Sequence, residues 1–432
     1  MKKGILKTLS CLFLLTLPAI SAQTDLSRYR TNEPHPKVYT VPAAINQLKR
    51  TPERFFPALA DFLLDGIRDP YEQVKLLHDW VALNLEYDIK ALQRANIPAQ
   101  TTKNVLSSGK AVCGGFAAVF TELCKAAQIP VREINGHARG FGFDISKKER
   151  FESNHAWNAV QLEGVWYLID ATWDGGYSTP DYRYIQEYST AFLFLEPQYL
   201  IHTHFPEKAV DQILTNPISF NEFSDLPNYR GEMFQAGIYP IEKYAKHLNV
   251  QNGVLKMRFG NRKGAEIIAV IRDKRGEELS GHALVENMND ETALTIHFPK
   301  KGFANLILFA REAGADGKYN NFAEFQVDVK ASSHLKPMEM YQGYNTARFE
   351  VLHPVWQPLK HSETLTFRFQ NTGVKKIMLL FDDSEKIWLD IPVQNGLWEY
   401  PLLIKGKKSL AIYIESGLGD NRYSGVVKYA IE

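Results

Sequence analysis

Cys113 opens the segment Val112-Cys113-Gly114-Gly115-Phe116, with His155 following in Asn154-His155-Ala156-Trp157-Asn158 and Asp170 in Leu168-Ile169-Asp170-Ala171-Thr172. A cysteine attacks a carbonyl as its thiolate, and an imidazole both lowers the thiol pKa and moves protons near neutral pH. Asp170 would accept a hydrogen bond from the far ring nitrogen of His155, fixing its tautomer and stabilising the imidazolium. Such a trio performs acyl transfer from an amide through a thioester, completed by water or by an amine. The backbone N–H of Cys113 is the natural first donor to the oxyanion, and the sequence assigns no second.

The elements that must position these residues are readable from periodicity. Phe116, Ala117, Phe120, Leu123, Cys124 and Ala127 form an apolar stripe at helical spacing, ended by Pro130. Cys113 therefore stands at a helix N-terminus, where free N–H groups and the helix dipole favour an anion. Gly114 and Gly115 would let a substrate backbone approach the sulfur. Residues 155–172 read as a hairpin with Glu163-Gly164 at its turn. That turn pairs Leu162 with Val165, so Trp157 faces Asp170 and Asp170 becomes a diagonal neighbour of His155 on one face. Upstream, residues 53–92 read as helices, with Phe56, Leu59, Ala60 and Leu63 and then Val74, Leu77 and Val81 at helical spacing. His78 and Asp79 on the second of these are expected to be structural.

Composition sets the setting. Residues 1–22 carry Lys2, Lys3 and Lys7, an apolar run from Leu9 to Leu17 and small residues near Ala22, the pattern of a cleavable export signal. Its removal takes three lysines from 50 basic residues and leaves 47 against 49 acidic ones, a balance that argues against nucleic acid as a partner. The segment is too short to span a bilayer, so no integral membrane segment is expected after cleavage and the protein would be secreted or periplasmic. Of the three cysteines, Cys113 and Cys124 remain. On one helix their 11-residue separation is roughly 16 Å, too far for a disulfide, which leaves the Cys113 thiol free. Cys124 reads as a buried small hydrophobe. His202 and His204 could point one way from a strand, but no partner at a metal-binding spacing accompanies them, so a structural role is expected and no metal or cofactor is assigned. Trp157 and Trp173 flank the trio, packing in the core or lining a substrate cleft.

Beyond residue 231 the chain turns to short alternating runs punctuated by Gly, Asn and Asp. Residues 255–273 and 365–383 align without gaps at an offset of 110, sharing Leu, Arg, Phe, Asn, Ile and Asp. Each stretch reads as two strands with a turn between, and the offset suits one small sandwich. The reading is a leader at 1–22, a thiol domain at 23–230, and β-sandwiches at 231–334 and 337–432 that serve as a spacer or a surface for a protein or cell-surface partner.

The trio's motifs, with His78-Asp79-Trp80 and Tyr87-Asp88 before them, resemble the transglutaminase-like superfamily. Tyr199-Leu200-Ile201-His202-Thr203-His204-Phe205-Pro206 and Pro217-Ile218-Ser219 with Phe223 are similar to the kyphoscoliosis peptidase-like branch, which carries immunoglobulin-like modules after its core. The resemblance implies an α+β, papain-like core with a helical N-terminal layer and an antiparallel sheet, followed by two immunoglobulin-like β-sandwiches. It implies Cys113 as nucleophile, His155 as base and Asp170 as orienting acid, acting on a protein or peptide substrate. Gly114 departs from the larger or polar residue often found after the nucleophile. The superfamily holds peptidases, amidases, crosslinking enzymes and silent binding scaffolds, so hydrolysis is the leading expectation, with scaffold and crosslinking as alternatives.

Overall fold

The computed structural model describes residues 26–279, 281–341, 349–360, 364–391, 396–415 and 422–432. The leader expected over residues 1–22 lies outside them. Helix α1 spans Pro52–Leu64 and α2 spans Pro70–Asn84. Asp69 starts α2 by accepting from the backbone N–H of Tyr71 and Glu72, and Pro70 occupies the first turn, where its missing N–H is not needed. Helix α3 runs from Cys113 to Ala126. Its expected stripe is buried: Phe116, Phe120, Leu123 and Cys124 pack against Phe55, Leu59, Val74, Leu77 and Trp80 of α1 and α2. Burial of a Leu- or Phe-sized side chain stabilises by about 1.5–3 kcal/mol, so the stripe anchors the helix that carries the cysteine.

Against α3 lies an antiparallel sheet of β1 (Val131–Ala138), β2 (His155–Leu162), β3 (Val165–Ile169), β4 (Leu193–Leu195) and β5 (His204–Pro206), in the order β4-β3-β2-β1-β5. The β2–β3 hairpin has the register expected from its turn, with Leu162 opposite Val165 and Asn158 opposite Ile169. Glu163 and Gly164 both take positive φ, 51° and 84°, which matches the twist of a two-residue hairpin. Buried Asn158 ties β2 to α3, donating to Ala117 O at 3.2 Å and to Thr121 Oγ1 at 2.9 Å. Gly136 faces His155 across β1 and β2. A Cβ there would stand 2.3 Å from Phe205 O and 2.7 Å from the Trp157 ring. Gly136→Ala should therefore cost about 1–3 kcal/mol by overpacking, read as a lowered urea midpoint with an unchanged m-value.

The C-terminal half is built from antiparallel sheets of immunoglobulin-like sandwiches. In the first, a six-stranded sheet centred on Asn320–Val329, Gly302–Arg311 and Glu266–Asp273 shares a core with a four-stranded sheet centred on Val254–Asn261 and Glu291–His297. One pairing departs from the rule, since His247–Val250 joins Asn320–Val329 in parallel. Strand Asn228–Tyr229 also joins this sheet, ahead of the boundary expected at residue 231. The second has a five-stranded and a three-stranded sheet around its own core.

The internal repeat is visible as strands, but the two strands of each copy do not pair with each other. Val254–Asn261 and Glu266–Asp273 lie in opposite sheets, as do Leu365–Asn371 and Lys376–Phe381. The repeated asparagine explains the crossing. Asn261 brackets Ala265, with its amide donating to Ala265 O and its Oδ1 accepting from Ala265 N, both at 2.8 Å. Asn371 does the same to Val374 at 2.9 Å. A buried side chain that satisfies both backbone groups of the corner lets the chain leave one sheet for the other.

The first sandwich is not separate from the thiol domain. Ile134, Trp157 and Leu168 of the site sheet belong to the same buried cluster as Tyr229, Phe259 and Phe322. Among the described residues no helix is long and apolar enough to cross a membrane.

Candidate active site

Cys113 begins α3, and Val112 before it is extended and offers no side-chain acceptor to the first-turn N–H groups. Gly115 N and Phe116 N donate to Val112 O at 2.8 and 3.3 Å, which leaves the N–H groups of Cys113 and Gly114 to face an anion from outside the helix. The expected roles of the two glycines divide. A Cβ on Gly114 would meet nothing within 4 Å, whereas one on Gly115 would lie 2.6 Å from Gln100 Oε1 and 2.7 Å from Ala111 Cβ. Gly114 therefore leaves space beside the sulfur. Gly115 serves the docking of the helix instead, where Gln100 also accepts from Val112 N at 2.9 Å.

His155 starts β2, and its Nε2–H donates to Asp170 Oδ2 at 2.7 Å. The same ring acts on the Cys113 thiol through its charge and hydrogen-bonding capacity, and Ala156 N–H acts on that sulfur too. Strand β3 ends at Ile169, and Asp170 caps a short helix, α4 (Ala171–Gly175), through Oδ1, which accepts from Thr172 N at 2.9 Å and Trp173 N at 3.2 Å. One carboxylate oxygen is held by the cap while the other faces the imidazole. Sequence reasoning placed Asp170 on the face of His155, and the structure brings all three residues together.

Charge follows this geometry. Burial pushes the Cys113 thiol up, but the hydrogen bond and charge of His155, with Ala156 N–H, outweigh it and hold the thiol below its ordinary range. Burial would lower His155, yet the charge and hydrogen bond of Asp170 push it up to about 10, so it is an imidazolium at neutral pH. Burial raises Asp170 while His155 and then His204 lower it, leaving the carboxyl well below the usual carboxylate range. Cys124 is fully buried and its thiol is pushed far up by desolvation. Tyr87 also senses the site, its phenol raised by burial and then by the charges of Cys113 and Asp170.

Trp157 is 1 % exposed and packs in the shared core, so the cleft-lining role is corrected to a packing one. Trp173 keeps partial exposure and sits 5.3 Å from the His155 ring. Gly140 packs on Trp173, and the loop from there to Asn154 borders a cavity of about 220 Å³ lined by Phe141, Lys147, Lys148 and Asn154. Arg139 fastens that loop, donating to Glu149 within it and to the carbonyls of His202, Phe223 and Leu226.

Two features were missed in the sequence. His204 Nε2 lies 3.1 Å from Asp170 Oδ2, whereas His202 faces elsewhere, its Nδ1–H donating to Pro227 O at 3.1 Å. The donor atoms of His155, Asp170 and His204 all lie within 4.8 Å of one another. Hydrogen bonding to one carboxylate oxygen accounts for the grouping. Beneath α4, fully buried His78 meets Asp174 Oδ2 at 3.0 Å and Asp79 Oδ1 at 3.2 Å. Lys75 and Tyr188 complete Asp79, and Ser189 with Phe192 N completes Asp174. The structural role expected for His78 and Asp79 is thus a buried ionic scaffold under the cap that carries Asp170.

A family model of the transglutaminase-like superfamily matches residues 57–171, and one of the KY-like, immunoglobulin-like domain matches residues 220–339. Kyphoscoliosis peptidase of Mus musculus is 25% identical over 349 residues, covering 80% of this chain and 50% of that protein. The Homo sapiens protein is 26% identical over 268 residues, covering 62% of this chain and 40% of its own. The chain therefore spans half or less of the length of these curated relatives. Among solved structures, the crystal structure of a TGase aligns over 30% of this chain and 32% of its own at 20% identity, with a TM-score of 0.21. The chain carries a transglutaminase-like domain followed by a KY-like, immunoglobulin-like domain, and it is homologous to kyphoscoliosis peptidase.

Proposed function

We propose that this protein is an exported thiol-dependent amide hydrolase, a peptidase in which Cys113 is the nucleophile, His155 the acid and base, and Asp170 the orienting carboxylate. The observation that carries this reading is the 2.7 Å hydrogen bond from His155 to Asp170 beside a Cys113 thiol that His155 holds below its ordinary pKa. That two homologues are called peptidases points the same way. In the first step the thiolate forms a bond to the carbonyl carbon while the Cys113 N–H at the start of α3 receives the oxyanion. The C–N bond then breaks, and His155 gives its proton to the departing amine. Neutral His155 next takes a proton from water, whose oxygen attacks the thioester, and Cys113 leaves as thiolate beside a restored imidazolium.

The test begins with alkylation. Iodoacetamide should label Cys113 about a hundredfold faster than Cys124 near pH 7, because Cys113 is partly exposed with its thiol pKa lowered, whereas Cys124 is buried with its thiol pKa raised. His155→Ala should slow Cys113 and shrink that advantage to what its exposure alone gives. Equal, slow labelling of both thiols would leave a binding scaffold instead. A peptide library and a glutamine peptide with a labelled amine then separate the outcomes: cleavage without label uptake supports the hydrolase, and label uptake would reassign the second reactant to an amine.

A further inference from the structure

Asp170 accepts on one oxygen from two rings, and the second belongs to a residue outside the proposed trio. His155 Nε2 and His204 Nε2 lie 2.7 Å and 3.1 Å from the same Oδ2. His204 comes from β5, paired to β1 through His204 and Ala138 rather than to the hairpin that carries His155. Its ring is fully enclosed: Trp173 lies at 4.4 Å, Trp157 at 5.0 Å and Phe192 at 5.7 Å, and the residue is 1 % exposed. An aromatic enclosure of that kind excludes the water that would otherwise solvate the outer lone pairs of Asp170.

The tautomer follows from the neighbours. His204 has a single ring proton, since burial lowers its pKa to about 4. Ionised Asp170 can only accept, so that proton sits on Nε2. His204 Nδ1 is then an acceptor 2.8 Å from Thr203 Oγ1, and it shares that hydroxyl proton with Leu200 O at 3.2 Å. The result is one directed chain, from Thr203 to His204 to Asp170, meeting the bond from His155 at a shared oxygen. Together with Thr172 N and Trp173 N on Oδ1, this gives the buried carboxylate four donors.

We propose that His204 is a positioning residue for the thiol site, donating its Nε2–H to Asp170 so that the carboxylate stays ionised and aimed at His155. This rests on the thiol reading above. A carboxylate with one donor removed in a dry site is less able to hold its charge, and Oδ2 gains freedom to turn from His155. The titratable groups that face the unit are Cys113, His155, Asp170 and Tyr87, while His204 itself faces Asp170 and His155. Ionisation of the thiol takes this cluster to a net negative charge. Loss of a donor must therefore move the thiol pKa upward.

The experiment compares His204→Phe, which keeps an aromatic ring and removes the donor, with His204→Gln, whose amide can present an N–H near the Nε2 position. In the full chain, the iodoacetamide rate at Cys113 is followed from pH 4 to 9, with Cys124 as the internal reporter of a closed core. The expected result for His204→Phe is a loss of about tenfold at pH 7, the size of one hydrogen bond to a charged group, and an acid limb moved to higher pH. His204→Gln should recover most of the rate and the wild-type limb. Equal losses in both variants with an unmoved limb would mean that the ring only fills space, which overturns the proposal, as would wild-type behaviour of His204→Phe. A wild-type Cys113 no faster than Cys124 would instead strike the thiol reading itself, so the two failures are told apart by the wild-type profile alone.

Discussion

In Asp170→Asn the alkylation rate of Cys113 at pH 7 falls by about three orders of magnitude, and amide turnover falls by about 10⁴, the loss this substitution causes at a serine-protease triad. Asparagine can still cap α4, because its carbonyl oxygen replaces Oδ1 as the acceptor from Thr172 and Trp173. At the Oδ2 position it presents an amide N–H₂ to the N–H groups of His155 and His204, donor against donor. Burial then acts on His155 with only Cys113 left to oppose it, and its pKa falls from about 10. Neutral His155 no longer shelters the thiolate. The measurement is the pH profile of alkylation beside the peptide rate. A variant that retained the wild-type acid limb would show that Asp170 is not the group that charges His155.

The largest effect on stability is expected at His78, which lies in no contact with the thiol. His78→Leu leaves Asp174 and Asp79 buried without the cation between them, and removing one partner of such a pair costs about 3–5 kcal/mol. Burial alone would lower His78, but hydrogen bonds to Asp174 and Asp79 push it up to about 9. A histidine raised from 6.5 in the unfolded chain stabilises the fold in full below pH 6.5 and loses that contribution as pH climbs through about 9. The gap between wild type and His78→Leu should thus be widest near pH 6 and narrow by pH 10, as read from guanidinium midpoints. A gap independent of pH would mean that His78 packs as a neutral ring.

What could be read from the sequence was local. The Glu163-Gly164 turn and the alternation after His155 set the hairpin register, because a side-chain period of two admits no slip once one face is buried. The stripe from Phe116 to Cys124 likewise placed Cys113 at its helix start. His204 left no comparable trace, since it reaches Asp170 through pairing of β5 with β1, and nothing in spacing announces that pairing. His78 and Asp174 stand 96 positions apart and meet only when α2 packs under α4. The repeated asparagines were noticed as identities, but their work at a sheet-to-sheet corner depends on burial that a single chain of letters does not display.

Because Trp157 and Leu168 on the site sheet and Phe259 and Phe322 in the first sandwich fill one core, the joint after the thiol domain is no hinge. A pull, a ligand or a lesion at the sandwich arrives at the strand whose first residue is His155 without crossing a flexible tether. The second sandwich keeps a core of its own. The packed unit is thus longer than the transglutaminase-like domain alone. The first sandwich is thereby part of the frame that holds the site sheet, while the second stands on its own core.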